Sequence, residues 1–382
     1  MNKVYDLIVI GAGPSGSTTA FKSAEMGIEV LLMDKCQFPR EKVCGGYLSA
    51  KTLDLLGSRF LQEVVEQEIF GVRLYDRFLN NMEKKTAPLL GVTVQRKQFD
   101  YMLLKQALSA GVLFNEKCEA IGLGEKSNSD IIEINTTKGI YKARRVVEAD
   151  GVNCSWGLRS GIIKKLHRWQ MGFTLSAFVE TSFTGEEAQR NAFVELYCIP
   201  LPGGFGWCFP MQNGFNVGVG CWAGSTKSLR NYSANFIREV CELKGVSSRE
   251  IRLKGSYIPA GGFPRNKGKG NIVFAGDAGG FVDPFSGEGI YYAVRSGEIA
   301  AEEALRSLYD DEKSFAVNFA DRCKREFTKQ FRESLYYTII NGRKKRISSF
   351  NKAGEKIADN IIEIMRSPYP YRSIIMPFHH KR

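Results

Sequence analysis

The stretch YDLIVIGAGPSG, residues 5–16, decides the fold. It starts as a short apolar run that predicts a buried strand, ending in the glycine-rich G-A-G-P-S-G. A helical stretch, STTAFKSAEMG, and a second strand, IEVLLMDK, follow it. G-x-G-x-x-G alone is a weak signal. Here it closes a strand, opens a helix, and is answered about 20 residues on by an acid, Asp34, ending the second strand. Gly11 then permits the tight turn, Gly13 lets backbone approach a pyrophosphate, Gly16 lets helix and strand pack closely, and Asp34 accepts ribose hydroxyls. The helix N-terminus offers phosphates its unpaired N–H groups and the positive end of its dipole. The motif marks a dinucleotide site without choosing between FAD and NAD.

Bulk properties bound the rest. A chain of 382 residues, 43% hydrophobic and 25% charged, reads as globular, with about two domains and ample core. The net charge of +12 is diffuse and favours anionic partners such as headgroups or phosphorylated ligands. No zinc-finger spacing or nucleic-acid module accompanies it, so no nucleic-acid partner is expected. Nine scattered cysteines with no C-x-x-C suit reduced thiols in a cytoplasm. No run reaches about 18 apolar residues, and the N-terminus lacks the apolar run of a signal peptide. The expected location is cytoplasmic, with peripheral contact on the inner membrane face left open.

Two distant segments resolve the cofactor. RRVVEADGVNCSWGLR (144–159) carries a strand, Ala-Asp-Gly, then a serine and an arginine. GNIVFAGDAGGFVDPFSGEGIYYAVRSGEIAAE (270–302) carries a strand ending in Gly276-Asp277, a glycine-rich loop, and a helix opening near Gly289. With the opening motif, these resemble the hydroxybenzoate-hydroxylase-like superfamily of FAD enzymes. The resemblance implies that Asp277 binds the ribityl and pyrophosphate region and that the following helix points its N-terminus at the flavin. Between the motifs, Arg96 and Asp100 match the superfamily's R-x-x-F-D-x-x-L pattern, in which the arginine lies along the cofactor. Read from the residues alone, without the resemblance, Arg96 is better taken as a solvated residue at a helix N-terminus.

Within that superfamily, F-P-R-x-K-x-C-G-G (38–46) resembles the geranylgeranyl reductase family. The resemblance implies that Gly45 and Gly46 let main chain pass along the isoalloxazine ring, leaving Cys44 near the reacting face. The family's Y-x-W-x-F-P strand is matched by GFGWCFP (204–210), with Phe205 in place of the tyrosine and Trp207, Phe209 and Pro210 retained. Strand alternation puts Phe205, Trp207 and Phe209 on one face, an apolar wall suited to an isoprenoid, or else an ordinary sheet core. Implied cofactor contacts are Gly11, Gly13, Ser15, Gly16, Asp34, Lys35, Gly45, Gly46, Leu48, Arg96, Ala120, Asp150, Gly276, Asp277, Gly287, Gly289 and Ile290. No metal site is expected. The implied activity is saturation of prenyl-lipid C=C bonds by reduced FAD, recharged by NAD(P)H or a reduced redox protein. Cys44 is the candidate acid, with packing or redox contact as its other readings. A monooxygenase or halogenase of the superfamily, or a flavoprotein relaying electrons to a quinone, remains the alternative.

The expected architecture is α/β. A discontinuous Rossmann-like FAD domain spans 1–159 and 265–305, an antiparallel-sheet substrate domain 160–264, and a helical segment 306–382. FTLSAFVE, FVELYCI, GWCFPM and FNVGVGCW supply the alternating stretches of the sheet. Near the C-terminus, Tyr336, Tyr337, Ile339 and Ile340 precede the basic run 343–346. This reads as a packed helix with a solvated end or as a bilayer-surface patch. The tail 369–382 is expected to pack back or close a cavity mouth. His167, His379 and His380 are assigned nothing.

Overall fold

The computed structural model describes residues 3–57, 62–125, 130–181, 192–222, 224, 226–247, 251–262, 266–309, 314–343 and 354–372. Its first sheet has eight strands. Strand β1 (Val4–Ile10) pairs in parallel with β2 (Val30–Met33) and β11 (Gly139–Glu148). β8 (Leu113–Asn115) extends the β2 side in parallel, and β18 (Ile272–Phe274) the β11 side. Antiparallel partners complete it: β17 (Gly268–Lys269), β9 (Ala120–Leu123) and β10 (Ile132–Thr136). Alternation along β1 explains its uninterrupted hydrophobicity. Leu7 and Val9 enter one core, with Leu32, Val147 and Val273, while Ile8 and Ile10 enter another with Trp156 and Phe274. A parallel sheet buried on both faces needs such strands.

Helices α1 (Pro14–Glu25) and α3 (Arg96–Ser109) share the first core with the later helix α6 (Ile290–Tyr309). A Cβ on Gly16 would lie 1.7 Å from the Gly11 carbonyl oxygen, so only glycine seats α1 this close to β1. Gly11 has φ +101°, a conformation that glycine adopts readily.

The second sheet has seven strands in the order β16-β12-β15-β14-β13-β5-β6. They are β5 (Gly71–Tyr75), β6 (Asn81–Lys85), β12 (Gly172–Glu180), β13 (Val194–Cys198), β14 (Phe205–Met211), β15 (Gly214–Trp222) and β16 (Lys254–Ile258). Its back is covered by α5 (Thr226–Leu243), with Phe236, Ile237 and Val240 in the core. The division at residue 160 does not separate the sheets. β5 and β6 come from the first segment and join through the parallel pairing of Val72 with Val194. A small third sheet joins β3 (Tyr47–Ser49), β7 (Gly91–Val94) and β4 (Val65–Ile69), with α2 (Ala50–Leu56) after β3 and α4 (Ser155–Arg159) after β11.

The C-terminal helices are α7 (Phe315–Arg343) and α8 (Gly354–Arg366). Ala358 and Ile362 of α8 pack on Val72, Leu74 and Val194. Tyr337 of α7 stacks on Tyr371, with ring centroids 5.8 Å apart, whereas Tyr336 is exposed. The basic run beyond Arg343, residues 373–382 and both terminal histidines lie outside the described residues. Of the described helices, none is long and apolar enough to cross a membrane.

One buried carboxylate ties this end of the chain to the body. Asp283 Oδ1 accepts from the Phe285 and Ser286 amides (2.9 and 2.8 Å), the Ser334 hydroxyl (2.8 Å) and the Tyr371 hydroxyl (2.9 Å). Removing it would strand all of these donors, at a cost of about 3–5 kcal/mol. Asp283→Ala should therefore lower the chemical-denaturation free energy by that amount and expose the C-terminal segment to limited proteolysis. An unchanged midpoint and cleavage pattern would refute this role.

Candidate active site

A continuous cavity of about 1030 Å³ runs from the glycine loop, past residues 40–47, to the front of the seven-stranded sheet. At one end α1 starts at Pro14 with no side-chain cap on Gly13. The Ser15 hydroxyl there is buried and has no hydrogen-bond partner among the described residues. Uncapped amides, an unpartnered hydroxyl and side-chain-free Gly11 and Gly13 fit the diphosphate of a dinucleotide. Asp34 accepts from the Ala12 amide and the Cys36 amide, both at 2.8 Å, and faces the cavity beside Lys35. These bonds orient its carboxylate and leave it lone pairs for sugar hydroxyls.

Of the anticipated residues, most lie on the cavity wall: Gly11, Gly13, Ser15, Asp34, Lys35, Cys44, Gly45, Gly46, Arg96, Ala120, Asp150, Asp277, Gly287, Gly289, Ile290, Phe205, Trp207 and Phe209. Four lie behind it. Gly16 packs α1 onto β1. Leu48 is fully buried against Val92, Val94 and Phe99. Gly276 donates its amide to Ser296 Oγ at 2.9 Å, and the Pro210 carbonyl accepts from Thr93 Oγ1 at 2.6 Å.

The two glycines after Cys44 have reasons internal to the protein. A Cβ on Gly45 would come within 2.8 Å of the Phe209 ring and 3.3 Å of Trp207 Nε1. On Gly46, at φ +81°, it would meet the Val94 carbonyl oxygen at 2.3 Å. The main chain here thus lies directly under the aromatic wall. Asn216 on β15 fastens the two together: its Oδ1 accepts from Trp207 Nε1 at 2.9 Å, and its Nδ2 donates to the Cys44 carbonyl at 3.3 Å.

The Cys44 sulfur accepts the Gly46 amide at 3.4 Å and lies within hydrogen-bonding reach of the Arg96 guanidinium. Arg96 grips Asp100 through Nε and Nη2, at 2.7 and 2.9 Å. Burial by itself would lower the Arg96 pKa, but the charges and hydrogen bonds of Asp100 and Cys44 together outweigh it and raise the pKa, keeping the guanidinium charged. Asp100 also pairs with Arg40 at 3.1 Å, and Arg40 reaches the space above Gly13. Two cations thus face the cavity from one buried carboxylate.

Beside Gly11, the buried Glu148 and the half-buried Asp150 form an acid pair. Asp150 Oδ2 takes the Ser155 amide and hydroxyl at 2.9 and 3.0 Å; Glu148 Oε1 takes the Gly157 amide at 3.1 Å. Burial, then the neighbouring Asp150, push the Glu148 pKa well above the usual carboxylate range. Cys154 offers a third ligand-type atom, and the three lie within 4.8 Å of one another.

Sequence reasoning passed over Arg40, Asn216 and Glu288. Arg40 was visible in the F-P-R motif; Asn216 carries no local signal. Glu288, in the loop before α6, pairs with Lys51 Nζ at 2.7 Å and bonds the Ser49 hydroxyl. Lys51 also donates to the Ile364 carbonyl of α8 at 2.8 Å. Helix α8 itself was not anticipated as a wall, yet Ile357, Ile361, Ile364 and Met365 line the cavity.

Comparison with known proteins agrees with this arrangement. A family model described as FAD dependent oxidoreductase matches residues 6–151. The uncharacterized protein Mbar_A1602 of Methanosarcina barkeri is 31% identical over 309 residues, covering 80% of this chain and 76% of that one. Digeranylgeranylglycerophospholipid reductase 2 of Methanosphaera stadtmanae is 30% identical over 321 residues, covering 81% and 80%. The geranylgeranyl bacteriochlorophyll reductase-like structure from Thermoplasma acidophilum shares the fold at TM-score 0.81 and 22% identity, covering 99% of this chain and 97% of that one. Flavin-dependent halogenases share the fold more distantly, with a brominase at TM-score 0.71. The glycine loop, the C-G-G segment and the relatives converge: the chain belongs to the geranylgeranyl reductase family of FAD-dependent oxidoreductases.

Proposed function

We propose that this protein saturates carbon–carbon double bonds of a prenyl lipid. The observation that carries the reading is the continuity of one cavity from the dinucleotide cradle to the aromatic wall of Phe205, Trp207 and Phe209 and the apolar side of α8. A long unsaturated chain can lie there beside the cofactor with its apolar surface out of water. The named reductase relative, which by its name acts on a digeranylgeranyl phospholipid, supports the same substrate class.

When bound and reduced, FAD supplies a hydride to one alkene carbon. The chain's own residues must deliver the proton to the other carbon and hold the alkene still. We assign the proton to the Cys44 thiol. As the proton leaves, the charge remaining on sulfur faces the Arg96 guanidinium and the Gly46 amide, which limits its cost. Asp100 holds Arg96 at that spot, and Asn216 holds the Cys44 main chain against Trp207. The thiol is reprotonated from water after each turnover. NAD(P)H or a reduced redox protein recharges the flavin, and work at the inner face of a membrane would bring the enzyme to its lipid.

Anaerobic incubation of the reduced holoprotein with a panel of prenyl lipids should yield products heavier by two hydrogens per bond reduced. Oxygen-dependent hydroxylation or halogenation, or quinone reduction without any saturated product, would overturn the reading.

Two variants test its parts. Cys44→Ser should bind FAD and accept electrons normally while single-turnover hydrogenation falls about 10²-fold, the scale for losing a positioned acid. Hydrogenation within a few-fold of the parent would remove the thiol from the chemistry. Asp277→Ala should yield protein depleted in yellow flavin after purification; full occupancy would remove Asp277 from the cradle.

A further inference from the structure

The front face of the seven-stranded sheet carries paired residues from the aromatic wall to an open edge. Trp207 is opposite Gly218, Gly218 opposite Ser176, and Ser176 opposite Lys254 on β16. Paired residues share a face of a sheet, and Trp207 and Ser176 both line the cavity. Lys254 therefore belongs to the cavity's face of the sheet. At about 4.8 Å per strand it stands ~14 Å from Trp207. Between them lie only a glycine and a serine, and the neighbouring row offers Gly220, Thr174 and Ser256. This is a trough with a low floor.

The two ends of the trough differ in chemistry. Beneath β5 the cavity is walled by apolar residues of α8. β16 is the sheet's edge, and Ser256 of its cavity face lines the cavity there. Lys254 and, two residues upstream, Arg252 are exposed at this edge, and no described residue forms an ion pair with either. The acid of this face of β12, Glu180, lies four residues beyond Ser176. An apolar end and a cationic, water-facing end match an amphiphile with an anionic head.

We propose that Lys254, assisted by Arg252, is a subsite for a phosphate headgroup on the prenyl substrate, with the chain laid along the trough past Trp207 toward α8. The assignment rests on the prenyl reading above. A phosphate reaching this edge could belong to a prenyl glycerophospholipid or to a prenyl diphosphate, since both present anionic phosphate oxygens to an ammonium group.

The test uses FAD-loaded parent, Lys254→Ala and Lys254→Glu, with flavin occupancy as the control for folding. Each is titrated with geranylgeranyl diphosphate, with digeranylgeranylglyceryl phosphate, and with uncharged geranylgeraniol, reading Kd from tryptophan fluorescence. Affinity for a phosphorylated ligand should fall about threefold in Lys254→Ala and about tenfold on charge reversal, with the differences shrinking at high salt. The alcohol should shift by less than twofold. Loss confined to one phosphorylated ligand identifies the source of the phosphate. Unchanged affinity for both, or an equal loss for the alcohol, overturns the subsite. Reduction of none of the three by the parent would instead count against the prenyl-reductase reading, and the binding comparison would still decide the subsite.

Discussion

The fit of Gly16 against the Gly11 carbonyl sets the geometry on which everything else depends. With a built Cβ only 1.7 Å from that oxygen, any side chain at 16 would lift α1 off β1. Seated as it is, α1 begins directly beyond the C-terminal end of β1. β1 pairs in parallel with β2 and β11, so the chain after those strands emerges at the same edge of the sheet. Asp34 and Asp150, from opposite neighbours of β1, thereby meet the uncapped helix start across one crevice. The cradle follows from topology plus one missing methyl group.

Buried and half-buried carboxylates then bind remote segments into one wall. Asp100 gathers Arg40 and Arg96, Glu288 gathers Ser49 and Lys51, and Asp283 gathers its own loop, α7 and the segment after α8. An unpaired carboxylate in such places would be costly, so each must be surrounded by donors, and the donors come from distant parts of the chain. The loop before α6 carries both Asp283 and Glu288. Through Lys51 and Tyr371 it is joined to the C-terminal end of α8 and the segment just after it, and α8 roofs the apolar part of the cavity. The cofactor loop and the substrate roof are therefore a single hydrogen-bonded unit.

What was legible in the sequence was what is local. The strand–glycine–helix segment, the Gly276-Asp277 loop and the C-G-G segment each carry their signal within a few residues, because turn geometry is a local demand. The alternation of β12 to β15 was equally plain. Strands β5 and β6 were not read into the second sheet, since a parallel partner over a hundred residues away leaves no mark on either stretch. Asn216 was hidden for the same reason. On β15 it is a polar residue between apolar ones, and only the register with Phe209 brings it to Trp207 and Cys44. Gly45 and Gly46 were noticed for the right feature, the absence of a side chain. The surfaces that require it are the Phe209 ring and the Val94 carbonyl.

That last difference changes how the C-G-G segment works. Glycines that merely cleared space for a bound ring would leave the segment loose until the ring arrived. Here the protein's own aromatic wall fills that space, and the Asn216 amide holds the Cys44 carbonyl from the wall side. The sulfur is held independently, by the Gly46 amide and the Arg96 guanidinium. Main chain and side chain of one residue are thus fixed by two different layers, the substrate sheet and the cofactor domain's first helical turn of α3. Under the proposed function, a group at such a junction would keep its position relative to both a chain laid on Trp207 and a cofactor laid along Arg96. Addition of two hydrogens across one double bond makes this demand, because hydride and proton must reach adjacent carbons from groups that do not move with respect to each other.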